Sequence, residues 1–382
     1  MKKQIGILLL AIVFCASVEG AEKIIRVTAT NPLQILRDRE TVSLDWAQIL
    51  KAFPGLDPAD AVVTDAATRQ PIVNQFVDCE KGSVLLFQTD LRPGQKKEFT
   101  IRKRPKDFAM SIPAITTYCR FIPERKDDFG WENDKVAFRM YGPALEYETI
   151  TSGIDAWCKS VSYPIIDKFI RDYVEKNIPY HYDHGEGGDF YKVGPTLGCG
   201  GMAPFIDGKV CLPRNFIQWK ILANGPIRSV FELTYAPWQA GALTVGETKR
   251  ISIDLGSNLC RIECTYNSSA STIPAAAGII LRETSDQIWM DDQKIAYWLP
   301  TDFIEGNIGC GVVFGAGTKT VIVRADSHLL MTVDAKPQTP VVYYAGSCWD
   351  KNKEFDTFAE WQQYLTEFKQ RLDSPVLVEI LL

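Results

Sequence analysis

Strict alternation of polar and apolar side chains is the feature that most constrains how this chain of 382 residues folds. Residues 227–235 place Arg228 and Glu232 on one side of a predicted strand and Phe231 on the other. Successive side chains of a strand point to opposite faces of a sheet, so this period of two predicts one polar and one buried face. Residues 249–255 repeat the pattern. Antiparallel sheets with one side toward water normally alternate in this way, so the sequence predicts a mainly antiparallel β protein.

The chain divides into three predicted parts. Residues 1–21 have the charged start, apolar run and small-residue end of a secretory signal peptide. Residues 22–104 hold short alternating segments between proline and glycine turns, which predicts a small N-terminal β domain. Residues 105–382 are predicted to form the larger β domain. Amphipathic patterns interrupt it with two helices, at 165–176 and, near the C-terminus, at 355–372.

The predicted signal peptide implies a periplasmic or secreted protein. Cys15 offers the alternative of a lipoprotein, but the bulky Phe14 before it favours simple cleavage near Gly20 or Ala21. No later stretch of the sequence is apolar for long enough to predict a transmembrane segment. A net charge of −5 and an isoelectric point of about 5.5 give no support for a nucleic-acid partner.

The cysteines do not form a recognisable framework. Nine of the ten follow the predicted signal peptide, an odd number that cannot all pair within one chain. Cys260 and Cys264 lie about 13 Å apart on a predicted strand, which is too far for a disulfide bond. The spacings match no zinc pattern. Most of these cysteines are therefore predicted to be small buried apolar side chains, with one or two disulfides as the alternative.

The alternating strands also predict one polar surface. If residues 136–141, 227–235 and 249–255 form neighbouring strands, their arginines and acids share a face that suits a polar, anionic ligand. The residues of this predicted surface are Arg139, Tyr141, Arg228, Glu232, Arg250 and Asp254. The alternative is the solvated side of an ordinary antiparallel sheet.

A glycine-rich segment between residues 180 and 201 concentrates the titratable side chains. Two of the three histidines of the chain lie in it. So many glycines favour neither helix nor strand, which predicts a loop. A loop that gathers imidazoles, carboxylates and tyrosines is where chemistry is expected, although its charges could simply face water. Its candidate residues are His181, Tyr182, Asp183, His184, Glu186, Asp189, Tyr191 and Lys192.

Several longer motifs carry a resemblance to a known family. They are GWEND (130–134), YGPALE (141–146), SGIDAW (152–157), YHYDHGEG (180–187), GCGG (198–201), NGPIR (224–228), FELTY (231–235) and ETKR (247–250). With these motifs the chain resembles the bacterial "domain of unknown function 4861" family, from the signal peptide to near the C-terminus.

The resemblance implies an architecture and a setting, and no catalytic residues. It implies an antiparallel β-supersandwich, similar to galactose mutarotase and several polysaccharide lyases, behind a small N-terminal β unit. Members of the family resemble secreted proteins of polysaccharide-degrading systems, often those for pectin-type glycans that contain uronic acids. The expected partner is therefore an acidic oligo- or polysaccharide.

β-Elimination next to a uronate is the favoured hypothesis for the activity. This reaction removes the proton α to a carboxylate, so it needs a base, a cation at that carboxylate and an acid for the leaving oxygen. His181 or His184 is the predicted base, because imidazole titrates near neutral pH. An arginine of the predicted polar surface neutralises the carboxylate by a bidentate contact. Tyr182 or Tyr191 is the predicted acid.

Three alternatives remain open from the sequence. A glycoside hydrolase needs two carboxylates on opposite sides of the bond, such as Glu232 with Asp183 or Glu186. A mutarotase-like enzyme is a further catalytic alternative. A non-catalytic glycan-binding protein would use the same cleft without turnover.

No cofactor is predicted. A divalent cation held by His181, Asp183, His184 and Glu186 is the alternative, although the spacing is not a specific zinc pattern. The acidic turn at residues 78–82 has some features of a calcium loop, but it has too few oxygen ligands and is predicted to be a plain turn.

Overall fold

A computed structural model describes residues 23–78, 82–108, 113–146, 152–282, 287–301 and 306–381. The predicted signal peptide, with Cys15, lies outside the described residues. So do residues 79–81 of the acidic turn.

The N-terminal part is a β unit with its own core. Its elements are β1 (Ile24–Thr30), β2 (Arg37–Asp45), α1 (Trp46–Ala52), β3 (Ala61–Asp65), β4 (Pro71–Ile72), β5 (Asn74–Val77), β6 (Val84–Leu91) and β7 (Lys96–Lys103). One sheet contains β1, β7, β3 and β4 in that order, and a second has the order β2-β6-β5. Their apolar faces meet in a cluster where the rings of Phe87 and Phe99 lie 4.7 Å apart.

A five-stranded antiparallel sheet follows, which we call the β10 sheet. Its strands and the helix between them are β8 (Tyr118–Ile122), β9 (Asp128–Glu132), β10 (Ala137–Met140), β11 (Asp155–Lys159), α2 (Ile166–Lys176) and β12 (Gly187–Gly188). The spatial order is β12-β11-β10-β9-β8, so β10 is central.

Two further sheets and a helix complete the fold. Their elements are β13 (Cys199–Ile206), β14 (Lys209–Val210), β15 (Gln218–Ala223), β16 (Arg228–Ala240), β17 (Leu243–Asp254), β18 (Leu259–Asn267), β19 (Ile273–Ile280), β20 (Gln287–Asp291), β21 (Lys294–Pro300), β22 (Asn307–Phe314), β23 (Val321–Ala325), β24 (His328–Ala335), β25 (Val341–Trp349), α3 (Phe358–Asp373) and β26 (Leu377–Leu381). One sheet, the β13 sheet, has the order β14-β13-β19-β24-β23. The other has eight strands, in the order β15-β16-β17-β18-β25-β22-β21-β20.

The three sheets form a sandwich of two layers around the main core. The β10 and β13 sheets join edge to edge, since Ile154 donates its N–H to Leu197 O at 3.1 Å and accepts from Cys199 N at 2.9 Å. This joined layer faces the eight-stranded sheet, and Phe129 stacks on Phe231 across the interface with a centroid distance of 4.4 Å. The predicted fold class, mainly antiparallel β, is confirmed.

Strands β16 and β17 each have the one polar and one buried face that the alternation of their side chains predicted. The two strands are antiparallel neighbours, with Arg228 opposite Asp254 and Glu232 opposite Arg250. All four side chains are partly exposed, whereas Phe231 is fully buried. The predicted pairing of these two strands is therefore confirmed.

Helix α3 covers part of the outer side of the eight-stranded sheet. Thr357 and Glu360 begin it with a reciprocal capping box, in which each side chain accepts from the other residue's backbone N–H. Trp361 and Leu365 are fully buried against the sheet. A Cβ at Gly309 would lie 2.9 Å from Trp361 Cδ1, so glycine on β22 permits this close approach.

The last strand and one glutamine attach the N-terminal unit to the rest of the chain. β26 pairs antiparallel with β1 and so adds a strand to the first sheet. The side-chain oxygen of Gln75 accepts from the N–H groups of Ile227 and Arg228 at 2.8 and 2.7 Å. Its amide nitrogen donates to Arg228 O at 2.8 Å. These contacts fix the unit against the start of β16.

Within the described residues, none of the helices combines the length and apolarity that a bilayer crossing demands. The eight cysteines of the described residues are free thiols, and all of them except Cys211 are buried. Cys79 lies outside the described residues.

Candidate active site

Arg139 is the centre of a buried charge network on the β10 sheet. Its side chain is 3% exposed, and its Nη2 lies 2.7 Å from Asp155 Oδ2 and 2.8 Å from Asp189 Oδ2. Its Nη1 donates to the Tyr180 hydroxyl at 3.1 Å. Asp128 Oδ2 lies 3.8 Å from its Nε. We call Arg139, Asp128, Asp155, Asp189 and Tyr180 the Arg139 network.

Strand register explains how the network assembles. Arg139 on β10 lies directly opposite Asp155 on β11, so the two side chains share a face. Gly130 on β9 lies opposite Arg139, and side chains two residues apart on a strand share a face, so Asp128 lies on the same face as Arg139. Aromatic rings enclose the guanidinium, whose carbon lies 4.7 Å from the Tyr141 ring centroid and 5.2 Å from that of Trp157. The Tyr141 hydroxyl accepts a hydrogen bond from Arg139 Nη2 at 3.2 Å. The ligand-binding role of Tyr141 stays a prediction.

Burial shifts the proton equilibria of the three carboxyl groups. Burial raises the pKa of Asp128 to about 6, against the opposing effect of Arg139. Burial also raises the pKa of Asp155, again against Arg139. Burial and the negative charge of Asp155 raise the pKa of Asp189 well above its ordinary value. The network therefore favours keeping a proton on one carboxyl group beside a charged guanidinium.

His181 is the solvent-facing end of this network. Its Nδ1 lies 3.1 Å from the backbone oxygen of Asp189 and 3.6 Å from the carboxylate Oδ2 of the same residue. A carbonyl oxygen can only accept a hydrogen bond, so Nδ1 carries the proton of the neutral ring and Nε2 is the basic nitrogen. The side chain is 43% exposed, which leaves the ring accessible to a ligand.

The segment around His181, residues 178–192, folds over the outer side of the β10 sheet as a loop apart from the two-residue strand β12. We call it the histidine loop. The predicted loop extended too far, because residues 199–201 form the start of β13. A Cβ at Gly187, whose φ is +99°, would lie 2.1 Å from Cys158 O, so only glycine lets the loop pair this closely with β11. Asp183 Oδ1 accepts from the N–H groups of Gly185 and Gly187, at 2.8 and 3.0 Å. The Asp183 carboxylate thus shapes the loop.

His184 and Glu186 lie on a different side of the loop from His181. His184 Nε2 donates to Pro179 O at 3.1 Å, and Glu186 accepts from Lys168 and Tyr163. Both line a pocket of about 210 Å³ against helix α2, and His181 does not line it.

The metal alternative does not fit this geometry. The four proposed ligands point to separate partners, and among the described residues no three His, Cys, Asp or Glu side chains converge as a metal ion requires.

The two predicted leaving-group acids are placed differently. Tyr182 is 59% exposed, so its hydroxyl can reach a ligand. Tyr191 is buried, and the Arg282 guanidinium lies 5.4 Å from its ring centroid. Burial excludes a saccharide from the Tyr191 hydroxyl, and the expectation that Tyr191 serves as the acid is wrong in this geometry. Lys192 next to it is exposed.

The predicted single polar surface is wrong, because its residues lie on two sides of the sandwich. Phe129 and Phe231 pack between the β10 sheet and the eight-stranded sheet. Arg139 lies on the face of the β10 sheet opposite Phe129. Arg228, Glu232, Arg250 and Asp254 lie on the face of the eight-stranded sheet opposite Phe231. Two layers of backbone therefore separate the histidine loop from these four residues, which we call the outer face.

The outer face consists of closed ion pairs. Arg228 donates to Asp254 from Nε at 2.5 Å and from Nη2 at 2.7 Å. Arg250 Nη2 lies 2.7 Å from Glu232 Oε1. The proposed hydrolase pairs of Glu232 with Asp183 or Glu186 are therefore wrong, because the partners lie on opposite sides of the molecule. Neither Arg228 nor Arg250 can contact a uronate held at His181.

Sequence reasoning missed four members of the site. Asp128, Asp155, Tyr180 and Arg125 were not candidates, although Asp155 is part of the SGIDAW motif and Tyr180 begins the YHYDHGEG motif. The available signal was a carboxylate on an otherwise apolar strand, where an acid needs a buried partner. Arg125 Nε donates to the Tyr180 hydroxyl at 2.8 Å, and its side chain is 17% exposed at the rim of the network.

The chain belongs to the family described as "Domain of unknown function (DUF4861)", whose sequence profile matches residues 29–378. A relative from Formosa agariphila, "Uncharacterized protein P7", is 35% identical over 389 residues, which cover 96% of this chain and 95% of that protein.

Two solved structures from Enterococcus faecalis are also similar to the chain. One is a protein in the Glycosyl Hydrolase Family 38, with 11% sequence identity and a TM-score of 0.46. The other is an alpha-mannosidase, with 10% identity and a TM-score of 0.43. The matches cover 94% of this chain but 48% and 46% of those proteins, so the chain spans about half of their length.

Proposed function

We propose that the protein is a carbohydrate-active enzyme that cleaves uronic-acid-containing saccharides of the pectin type by β-elimination. His181 is the base in this proposal. Its Nε2 takes the proton from the carbon α to the uronate carboxylate, and the electron pair of that bond forms the new double bond. The bond to the leaving oxygen breaks, and that oxygen takes the phenolic proton of Tyr182. Solvent then returns the proton from imidazolium to the phenolate.

The tautomer and the partial exposure of the His181 ring are the observation that carries the proposal. The hydrogen bond from its Nδ1 to Asp189 O at 3.1 Å fixes the tautomer whose Nε2 can accept a proton. The ring is held beside a buried carboxyl group and is still partly exposed. A base that is oriented through Nδ1 and whose side chain is still partly exposed is what proton abstraction requires.

A cation near the uronate carboxylate is the second requirement. Arg139 is already balanced by Asp155 and Asp189, so it serves as the support of the site. Arg125 is the better candidate for the contact. It lies at the partly exposed rim, and its charge acts on Asp189, the residue that holds His181. The proposal therefore assigns charge neutralisation to Arg125.

Product analysis tests the proposal. Pectic oligosaccharides incubated with the protein are expected to give an unsaturated product that absorbs in the ultraviolet. His181→Ala should lower the rate by about 10²- to 10⁴-fold, the usual contribution of a general base. His184→Ala is the matched control and should keep most of the activity, because its ring faces another pocket. New reducing ends without ultraviolet absorbance would support a hydrolase instead.

A non-catalytic glycan-binding protein is the second candidate. It is favoured by the separation of the outer-face arginines from the histidine loop, because the predicted single polar surface is then absent from the loop. This candidate predicts saccharide binding with no product from any glycan. Both candidates place the protein in the periplasm or outside the cell, in agreement with the predicted signal peptide, and fractionation of the source cells tests that location.

A further inference from the structure

A second cavity lies far from the histidine loop, where three parts of the molecule meet. The start of β2 in the N-terminal unit, the outer side of the eight-stranded sheet and helix α3 enclose a cleft of about 280 Å³. We call it the interdomain cleft. Its volume is close to the lower end of ligand pockets, about 300 Å³, and suits one unit of a sugar chain. Ligand sites are common at such junctions between domains.

Arginines dominate the lining of the interdomain cleft. Four arginines line it, together with the carboxylates of Asp38, Glu40 and Asp254. The arginines come from all three parts of the molecule and are Arg39, Arg228, Arg261 and Arg371. The cleft therefore gathers cations that are distant from one another in sequence.

Three of these arginines already have acidic partners. Arg39 Nη1 lies 2.5 Å from Asp134 Oδ2, and Arg261 pairs with Glu263. Arg228 forms the two-pronged contact with Asp254 described above. These ion pairs hold the walls of the cleft in place. Arg371 is the fourth arginine of the lining, which also contains the carboxylates Asp38 and Glu40.

Arg371 is oriented by aromatic rings. Its guanidinium carbon lies 5.9 Å from the ring centroid of Tyr364 and 5.8 Å from that of Phe368. Among the described residues no carboxylate forms an ion pair with it. A guanidinium in cation–π contact with rings can still use its N–H groups for a bidentate carboxylate contact. Its orientation also reduces the entropy that a ligand contact would cost.

Tyr344 adds a polar group to the lining of the cleft. Burial raises the pKa of its hydroxyl, while the charges of Arg261 and Arg228 lower it. The lining therefore offers a hydroxyl beside the Tyr364 and Phe368 rings. A sugar ring presents hydroxyl groups on its edge and an apolar face, which this lining complements.

We propose that the interdomain cleft binds the carboxylate of an acidic saccharide through Arg371, as a site separate from the histidine loop. The anionic nature of the ligand is inferred from the cleft itself, and its identity as a saccharide rests on the proposed function. Two such sites on opposite sides of the sandwich would let the protein hold an acidic polysaccharide at one place while it acts at another.

Calorimetric titration of the full chain with saturated trigalacturonate tests this site. All variants carry His181→Ala, so that turnover does not obscure binding. Arg371→Ala should weaken binding at the cleft by about 10-fold or more, the loss expected for a charge-assisted contact. Arg371→Lys keeps the charge without the planar fork and should give a smaller loss. Arg171→Ala removes an equally charged side chain from α2 and should leave binding unchanged.

The methyl ester of the same trisaccharide separates charge from sugar contacts. It should lose most of the affinity for the cleft, because the ester has no carboxylate for Arg371. Thermal unfolding of each variant checks that a loss is not due to misfolding. Equal affinity of Arg371→Ala and the parent for trigalacturonate would overturn the inference, as would the absence of any binding.

The outcome is independent of the catalytic proposal. Product formation by the wild-type chain together with unchanged binding in Arg371→Ala would contradict the proposed binding site in the cleft and support the lyase. Binding that depends on Arg371, without product from any pectic oligosaccharide, would support the binding site in the cleft and contradict the lyase activity.

Discussion

Asp128 shows how burial and neighbouring charge compete at a single residue. Its Oδ1 accepts from the backbone N–H of Gly142 at 2.9 Å, and its Oδ2 lies 3.8 Å from both Arg125 and Arg139. Loss of solvent is the larger effect, and the pKa rises to about 6. Two arginines at this distance therefore do not fully compensate for the water that the carboxylate has lost.

The raised pKa of Asp128 predicts a pH dependence of stability. Because the folded pKa lies above the ordinary value of 3.8, the protonated group favours folding. This contribution is present below about pH 4 and is lost as the pH rises to about 6. We expect Asp128→Asn to lack this component, which amounts to about 1–3 kcal/mol. Denaturant unfolding of both proteins between pH 4 and pH 7 measures it, and parallel profiles would contradict the prediction.

At the residue scale the sequence identified one part of the site better than the other. The histidine loop was recognisable, because imidazoles, carboxylates and glycines are close together in the sequence. The partners of Arg139 were not, because Asp155 and Asp128 are single acids on strands and only strand pairing brings them to the guanidinium. Loop composition is visible locally, whereas a buried network depends on contacts between distant segments.

At the element scale, Glu132 connects strand β9 to helix α2. Its carboxylate accepts from the N–H groups of Ile165 and Ile166 at 2.9–3.0 Å, at the start of the helix. Lys159 Nζ, which is also buried, donates to Glu132 Oε2 at 2.7 Å. A carboxylate at a helix N-terminus satisfies free N–H groups and interacts favourably with the helix dipole. Glu132 thus positions the helix that lies beneath the histidine loop.

We expect Glu132→Gln to destabilise the fold by about 3–5 kcal/mol, because it leaves the Lys159 ammonium buried without its counter-charge. Glu124→Gln is the matched control. Glu124 also pairs with a cation, Arg120, but its side chain is 37% exposed, so the expected cost is below about 1 kcal/mol. Chemical denaturation of the three proteins compares the two changes. Similar losses for Glu132→Gln and Glu124→Gln would show that burial of the pair does not matter.

The predicted elements agree well with those observed wherever the pattern is long. The helix predicted over 165–176 is α2, and the one predicted over 355–372 is α3, which begins three residues later at its capping box. The alternating segments at 227–235 and 249–255 are parts of β16 and β17, although both strands are longer. A bulge between Tyr235 and Trp238 shifts the register of β16, so its second half was not recognised by a strict period of two.

At the scale of the whole molecule, the main difference between prediction and structure is which layer of the sandwich each strand joins. Alternation tells which residues share a face of one strand, but it does not tell which sheet that strand joins. Arg139 and Arg228 both occupy polar positions, and the sandwich places them on its two opposite outer sides. Their strands are far apart in sequence, and no local pattern records the packing of Phe129 on Phe231 that separates them.

The molecule consequently has two candidate sites with different chemistry. The histidine loop offers a base beside a buried acid network, and the interdomain cleft offers arginines and rings without a histidine in its lining. One side is suited to proton transfer and the other to holding a negative charge. This separation explains why the cleft is proposed as a binding site and the loop as the place of reaction.

A crystal structure of the His181→Ala variant with trigalacturonate tests the central claim most directly. We predict that one uronate lies against the histidine loop, with its carboxylate within hydrogen-bonding distance of Arg125 and its α carbon next to the space that the lost imidazole leaves. A saccharide bound only in the interdomain cleft, or bound beside the loop with its carboxylate turned away from Arg125, would contradict the account.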